Sequence, residues 1–179
     1  MDIKLYKGRP TDTDGRLEKE IKVYTLLDRA GIDYWRTDHE AVNTIDEGRD
    51  IDAVLEAEIC KNLFLCNRQK TNFYLLMMSG DKKLDTKQLS HQLGVARLTF
   101  ADAENMLKYL DITPGSVSVM GLMNDTENKV QLLVDRNIFE SEFVGCHPCI
   151  NTTSLKLRTR ELFNIVLPLM NHNMIIVDI

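Results

Sequence analysis

The chain contains 179 residues, of which 44% are hydrophobic and 27% charged, and it carries a formal net charge of −5. This length supports one substantial hydrophobic core and is short for two, so we expect a single domain over residues 1–179. The longest apolar runs fall well below the roughly 18 residues of a membrane span. The N-terminal MDIKLYKGRP lacks the apolar region of a signal peptide. We therefore expect a cytoplasmic protein without a membrane segment.

The charge is unevenly distributed along the chain. Residues 1–60 hold 9 basic and 15 acidic groups, residues 61–97 hold 7 and 2, and residues 98–179 hold 6 and 10. The negative total argues against a general nucleic-acid coat protein. The basic middle segment fits either a solvated surface or a partner that presents a few phosphates at one place.

The first predicted element is a helix that ends at Gly31. Leu17, Ile21 and Leu27 recur within it at the spacing of one helix face. Apolar runs and alternation then predict a strand over 33–39, a partial helix over 44–58, strands over 59–67 and 73–79, and helices over 86–93 and 102–110.

The second half of the chain opens with a turn signal at Thr113-Pro114-Gly115. Apolar runs at 117–123 and 130–135 flank the polar segment 124–129, which predicts an antiparallel hairpin. A strand over 151–157, a helix capped by Thr159 and a strand over 174–179 follow. The pattern predicts an α/β fold, a single compact domain with a mixed, largely antiparallel sheet flanked by helices.

The segment Cys146-His147-Pro148-Cys149 contains a C-x-x-C, which suggests either a redox dithiol or half of a zinc site. A redox dithiol begins a helix, which lowers the pKa of its first thiol, whereas this segment precedes a predicted strand. The other two cysteines, Cys60 and Cys66, would lie about 20 Å apart on one strand and cannot share a tetrahedral site. We therefore interpret all four as small buried hydrophobic residues, and we expect no metal.

Three residues indicate a site without a metal. Alternation places Lys61 on the same strand face as Leu63 and Leu65, where its side chain either reaches water at the strand end or meets an anion in a pocket. His147, in a loop, is either a hydrogen-bonded structural residue or a substrate contact. Gly145 permits a positive φ or a close approach, so its N–H can be presented to a substrate carbonyl.

The blocks Lys61–Leu65, Pro114–Ser118 and Gly145–Thr152 together resemble the YbaK/ProX aminoacyl-tRNA deacylase family. The similarity is strongest to its free-standing prolyl-tRNA editing branch and covers the chain from about Arg16. It implies a single α/β domain around a mixed sheet. It also implies hydrolysis of the ester that joins a wrong amino acid to tRNA, with no metal or cofactor.

The resemblance also implies roles for individual residues. Lys61 corresponds to the family's essential lysine near the phosphate of the terminal adenosine. The Gly145–Pro148 loop lines the aminoacyl pocket with backbone amides near the ester carbonyl, and His147 contacts the substrate. Water attacks with help from the tRNA's own ribose hydroxyl. Further substrate contacts are implied for Thr44, Asn62, Pro148 and Asn151.

The expected function is therefore deacylation in trans of mischarged tRNA(Pro), with Ala-tRNA(Pro) as the expected substrate and prolyl-tRNA synthetase as a candidate partner. Two departures bear on amino-acid preference. Val119 and Met120 follow Ser118 where many relatives have Pro-Phe, and Ala41 replaces a common proline. The alternatives are a deacylase for Cys or Ser, a non-catalytic module that binds tRNA or an amino acid, and a thiol redox protein.

Overall fold

Nine strands form two sheets in the computed structural model, which describes residues 3–41 and 45–179. Thr44, a predicted substrate contact, lies outside these residues. In chain order the strands are β1 (Leu5–Lys7), β2 (Tyr34–Asp38), β3 (Lys61–Cys66), β4 (Phe73–Met78), β5 (Thr99–Phe100), β6 (Val130–Asp135), β7 (Phe143–Cys146), β8 (Thr153–Arg158) and β9 (Met174–Val177).

The first sheet has the order β1-β2-β8-β7 and is antiparallel throughout. The second has the order β5-β3-β4-β6-β9 and is mixed, because β4, β6 and β9 run parallel while β3 is antiparallel to both β4 and β5. The α/β fold with mostly antiparallel strands and flanking helices is as predicted, but its strands form two sheets instead of one.

The helices surround these sheets. They are α1 (Glu18–Ala30), α2 (Ile45–Leu55), α3 (Thr86–Leu93), α4 (Ala103–Leu110) and α5 (Arg136–Glu140), a 3₁₀ helix (Val119–Asn124), and a final helical segment made of α6 (Thr159–Glu161), a π turn (Leu162–Val166) and α7 (Leu167–Leu169). Gly31 ends α1 in a left-handed conformation with φ of 66°, as predicted from the sequence. None of the helices in the described ranges is long and apolar enough to span a bilayer.

The second sheet is buried on both faces. Phe64 and Cys66 of β3 belong to the main core, which combines side chains from both sheets with α1 and α4. Leu65, on the other face of β3, belongs to a second core with Leu89 of α3 and Leu133 of β6. The continuous apolar runs of β4 and β6 follow from this double burial, since strands covered on both faces do not alternate in polarity.

A short backbone joint connects the two sheets. Ile59 and Gly145 form a parallel bridge just before β3. The amide of Cys60 donates to the carbonyl of Gly145, and the amide of Gly145 donates to the carbonyl of Glu58, each over 3.0 Å. The end of β7 is thereby attached to the start of β3.

The predicted hairpin over 117–135 is wrong. Residues Val119–Asn124 form a 3₁₀ helix, and β6 pairs in parallel with β4 and β9. The Ser118 hydroxyl caps this helix at the amide of Met120, and Gly121 packs so closely that an added Cβ would lie 2.6 Å from Ile112 Cδ1. A short buried apolar run carries no periodicity that separates a strand from such a helix.

Other differences concern short or capped elements. Thr159 is the first residue of α6 and does not cap it, because its hydroxyl lies 3.2 Å from Ser141 Oγ. Strands β1, β5 and β7 and the helix α5 were not predicted. Each has two to five residues, which is too short to show a hydrophobic period.

Candidate active site

The joint between the sheets places two predicted site residues at one edge of the second sheet. Ile59 and Gly145 form the parallel bridge; Lys61 lies two residues after Ile59, and His147 lies two residues after Gly145. Lys61 lies opposite Met78, the last residue of β4. The candidate site therefore lies at the carboxyl end of parallel strands, where open α/β sheets commonly bind ligands.

Lys61 is the first residue of β3, and its side chain is half-buried. Its Nζ donates a hydrogen bond to the carbonyl oxygen of Lys82 over 3.0 Å. An ammonium group carries three protons, and within the described part of the chain this is the one hydrogen bond that Nζ makes. Lys61 thus lies at the strand end, oriented by a carbonyl, with two protons left for an anion.

The ring of His147 is half-buried in the loop between β7 and β8. Its Nδ1 lies 3.0 Å from the carbonyl oxygen of Thr153. Because a carbonyl only accepts, Nδ1 carries the proton and Nε2 of the neutral ring is an acceptor. Burial lowers the pKa of His147 below its usual 6.5; the Thr153 bond opposes this, and nearby His39 adds to it. The ring is therefore neutral at pH 7 with a basic Nε2.

A second histidine, His39, lies beside His147, with the ring centroids 6.4 Å apart. Its Nδ1 lies 2.7 Å from the carbonyl oxygen of Glu40, and its Nε2 lies 2.8 Å from Ser154 Oγ. Nδ1 therefore carries the proton, and the Ser154 hydroxyl donates to Nε2. Sequence reasoning missed both His39 and Ser154 as parts of the candidate site, although His39 lies only five residues before Thr44, a predicted substrate contact.

Gly145 has a structural role that differs from the predicted one. Its amide is bonded to the carbonyl of Glu58, so it is not presented to a substrate carbonyl. Its φ is not positive. The close approach is to the protein's own backbone, since an added Cβ would lie 2.8 Å from the oxygen of Glu58 and 2.9 Å from Cα of Ile59. Glycine at this position permits the joint between the sheets.

Asn62 follows Lys61 in β3. Its Nδ2 donates to the carbonyl of Cys60 over 2.9 Å. Its Oδ1 is buried and meets no hydrogen-bond donor among the described residues. Because neighbouring residues of a strand face opposite sides, Asn62 does not share the face of Lys61. The buried, unpaired oxygen remains an acceptor for a donor group of a ligand.

The loop that carries His147 is held in place at several points. Ser118 Oγ donates to the carbonyl of His147 over 2.5 Å. Pro148 is buried, and Cys149 has a left-handed φ of 62°. Asn151 lies at the other end of the loop, where its Nδ2 would be 3.9 Å from a Cβ added to Gly115. Substrate contacts from Pro148 and Asn151 stay predictions.

Comparison with known proteins matches residues 39–165 to the family model described as the aminoacyl-tRNA editing domain. The chain belongs to this family. The matched segment contains His39 and all seven predicted site residues, from Thr44 to Asn151. The resemblance noted from the blocks around Lys61 and His147 is thereby confirmed at the level of the family.

The chain is similar to proteins named for prolyl-tRNA. It is 35% identical over 150 residues to prolyl-tRNA editing protein ProX of Acetoanaerobium sticklandii, covering 84% of this chain and 92% of that protein. It is 30% identical over 167 residues to prolyl-tRNA synthetase associated domain-containing protein 1 of Mus musculus, covering 91% and 95%.

Solved structures share the fold of this chain. The crystal structure of a hypothetical protein superposes with a TM-score of 0.69 at 20% identity, covering 88% of this chain and 97% of that one. That of a proposed trans-editing enzyme for prolyl tRNA synthetase superposes with a TM-score of 0.63 at 16% identity, covering 91% and 96%.

The four cysteines of the editing domain are free and buried. Burial raises the pKa of Cys60 and Cys146 well above the usual range and that of Cys149 to about 12. Thiolate is the reactive form of cysteine, so these thiols are held in their inert form. Among the residues whose side chains the structure describes, 3–41 and 48–179, no three His, Cys, Asp or Glu side chains cluster in a way that could hold a metal ion.

We expect the thiols of the native domain to react very slowly with Ellman's reagent at pH 7.5. The raised pKa values leave little thiolate, and burial blocks the reagent. Absorbance at 412 nm should report less than about one thiol over minutes in buffer and all four in 6 M guanidinium. Rapid native reaction of two thiols would instead support a redox role for Cys146 and Cys149.

Proposed function

We propose that the chain is a hydrolase that deacylates mischarged tRNA(Pro) in trans, with Ala-tRNA(Pro) as its substrate. Membership of the aminoacyl-tRNA editing family and the names of the prolyl-tRNA relatives support this proposal. The observation that carries it is the arrangement at the joint. The bridge between Ile59 and Gly145 is followed after two residues by Lys61 in one segment and by His147 in the other. The ammonium of Lys61 has unused protons, and the ring of His147 is neutral.

Lys61 is assigned to bind a phosphate of the terminal adenosine. A charge-assisted bond from an ammonium to a phosphate oxygen is roughly twice as strong as a neutral hydrogen bond. Because the carbonyl of Lys82 already orients the ammonium, little side-chain freedom remains to be lost on binding. This contact holds the acceptor end so that the ester lies beside the 147–152 loop.

The 147–152 loop is assigned to the ester. Nε2 of His147 accepts a hydrogen bond from the attacking water or from the free ribose hydroxyl of the terminal adenosine. Water adds to the ester carbonyl carbon, the bond to the ribose oxygen breaks, and the proton passes to that oxygen. We assign stabilisation of the carbonyl oxygen to loop amides beyond Gly145, because the Gly145 amide is bonded to Glu58.

The aminoacyl pocket is assigned to the surroundings of Asn62. Its buried, unpaired Oδ1 is an acceptor that suits the α-ammonium of an aminoacyl group. Val119 and Met120, which differ from many relatives, are fully buried in the helix that follows Ser118. The Ser118 side chain bonds the carbonyl of His147, so changes at 119 and 120 reach the pocket through packing.

The partner is the acceptor end of tRNA(Pro), and we place the reaction in the cytoplasm, with prolyl-tRNA synthetase as a candidate partner. The basic segment 61–97 supports a contact with few phosphates, because two of its lysines are already paired. Lys70 pairs with Asp102 at 2.5 Å, and Lys82 pairs with Asp135 at 2.7 Å.

The proposal is tested by measuring deacylation of Ala-, Ser-, Cys- and Pro-tRNA(Pro), with Ala-tRNA(Ala) as the control for tRNA identity. We expect Ala-tRNA(Pro) to be hydrolysed fastest and Pro-tRNA(Pro) to be spared. A difference of one small group in a side chain contributes only about 10- to 200-fold to discrimination, so Ser and Cys, which add a hydroxyl and a thiol to Ala, should be slower but measurable. Preference for Ser or Cys would revise the amino acid, and binding of tRNA without hydrolysis would favour a binding module.

We expect His147→Ala to lower kcat by about 100-fold, the lower end of the range for a single general acid–base group, with an unchanged circular dichroism spectrum. Since the pKa of His147 is lowered by burial, the wild-type rate, corrected for uncatalysed hydrolysis, should be flat near pH 7. It should fall only below about pH 6.5, the usual histidine value. Unfolding of His147→Ala, or an unchanged kcat, would indicate a purely structural histidine.

A further inference from the structure

Two charged residues, Lys82 and Asp135, are connected to Lys61 at one end of the second sheet. Lys61 pairs with Met78 across β3 and β4, and Met77 pairs with Val134 across β4 and β6. This register places Asp135 next to Met78. The side chains of Lys61 and Asp135 therefore lie on the same face of the sheet, separated by one strand.

Lys82 connects these two residues. It lies in the segment between β4 and α3, and its carbonyl oxygen accepts the hydrogen bond from Lys61 Nζ over 3.0 Å. Its own Nζ lies 2.7 Å from Oδ2 of Asp135. The backbone carbonyl of Lys82 thus binds the ammonium of Lys61, and the carboxylate of Asp135 binds the ammonium of Lys82.

Asp135 is buried more deeply than an ordinary ion pair requires. Its side chain is 1% exposed, while that of Lys82 is 23% exposed. Its Oδ1 is buried and meets no donor among the described residues. Burying a carboxylate with one unpaired oxygen is unfavourable, and a surface ion pair would contribute as much to folding at a lower desolvation cost.

We propose that Asp135 is a positioning residue for Lys61. Its ion pair with Lys82 fixes the segment after β4, so that the Lys82 carbonyl holds the Lys61 ammonium where the substrate phosphate binds. Lys82 itself is neutralised by this pair and does not serve as the phosphate ligand. The role in catalysis rests on the function proposed above, whereas the positioning of Lys61 can be tested without any substrate.

The first test is the ¹⁵Nζ resonance of Lys61 in NMR spectra of the whole chain, assigned by its disappearance in Lys61→Arg. Ordered, hydrogen-bonded ammonium groups exchange slowly enough to be observed. We expect the signal in the wild type and in Lys82→Arg, which keeps the ion pair, and its loss in Asp135→Asn and Lys82→Met. Asp178→Asn is the matched control, since it breaks the exposed pair of Asp178 with Arg136. It should leave the signal unchanged.

The second test is deacylation of Ala-tRNA(Pro). We expect Asp135→Asn and Lys82→Met to lower kcat/KM by at least about tenfold, mainly through KM, because a misplaced phosphate ligand weakens binding. Lys82→Arg and Asp178→Asn should remain near wild type. In a Lys61→Ala background, Asp135→Asn should cause no further loss, because residues that act through one group are not additive.

The outcomes separate the two proposals. If Asp135→Asn does not fold, the NMR and deacylation tests are both made with Lys82→Met, which keeps the backbone carbonyl. An unchanged Lys61 signal in Lys82→Met, or an additive loss of activity in the double variant, would overturn the positioning role. If the wild type hydrolyses no aminoacyl-tRNA, the proposed function fails, while the NMR result still decides whether Asp135 positions Lys61.

Discussion

Replacing Lys61 with alanine should lower the rate of Ala-tRNA(Pro) deacylation by at least about 100-fold, by analogy with the loss of one preorganised electrostatic group. Among the described residues of the proposed site, Lys61 is the one assigned to present a positive charge to the phosphate. Without it the acceptor end is held less firmly, and small displacements of a reacting group have large effects on rate. Steady-state release of labelled alanine measures the effect.

The same substitution should leave stability almost unchanged. Lys61 is the first residue of its strand, and among the described residues its side chain makes one hydrogen bond, to the carbonyl of Lys82. Such a bond contributes about 1 kcal/mol. Lys83→Ala removes an exposed lysine of the same segment and is the matched control, which should keep full activity. Equal losses of activity in the two variants, or a much lower melting temperature for Lys61→Ala, would show that Lys61 is not the phosphate ligand.

Gly145→Ala should destabilise the domain by about 1–3 kcal/mol, the range found when a packed interior is overfilled. The new Cβ would lie 2.8 Å from the oxygen of Glu58 and 2.9 Å from Cα of Ile59. Both are backbone atoms, which cannot rotate away as a side chain can. Urea unfolding followed by circular dichroism measures the change, and we expect activity to fall as the joint opens and His147 moves away from Lys61.

Gly80→Ala is the control for this substitution, because it also meets Glu58. Its Cβ would lie 3.2 Å from Oε1 of the Glu58 side chain, which can move. We expect its free energy of unfolding to stay within about 0.5 kcal/mol of wild type, as for most surface substitutions. Equal effects of the two substitutions would mean that the tight backbone approach at Gly145 does not limit stability.

Local sequence patterns predicted the parts of the site that depend on local geometry. Alternation along β3 identified the face of Lys61, because the period of two is a property of the strand alone. The loop after Gly145 was identified from its glycine and proline and from the resemblance to the editing family. The hydrogen bond between His147 and Thr153 also lies within this short segment.

Other parts depend on contacts between distant segments and were not predictable from one sequence. His39 and Ser154 are 115 residues apart and meet only because β2 pairs with β8. The amide of Gly145 is bonded to Glu58 because β7 ends beside the start of β3. Because the sequence predicted a hairpin, it did not predict the parallel pairing of β4 with β6. The ion pair between Lys82 and Asp135, which depends on that pairing, was therefore not predicted either.

If this chain catalyses hydrolysis of mischarged tRNA(Pro), each protein molecule should deacylate many substrate molecules. Labelled Ala-tRNA(Pro) in large excess over the purified wild-type chain is incubated at neutral pH, and released alanine is counted against a blank without protein. We predict that the alanine released above the blank exceeds the protein present many times over. Release no faster than the blank, while the chain still binds Ala-tRNA(Pro), would contradict catalysis and indicate a binding module.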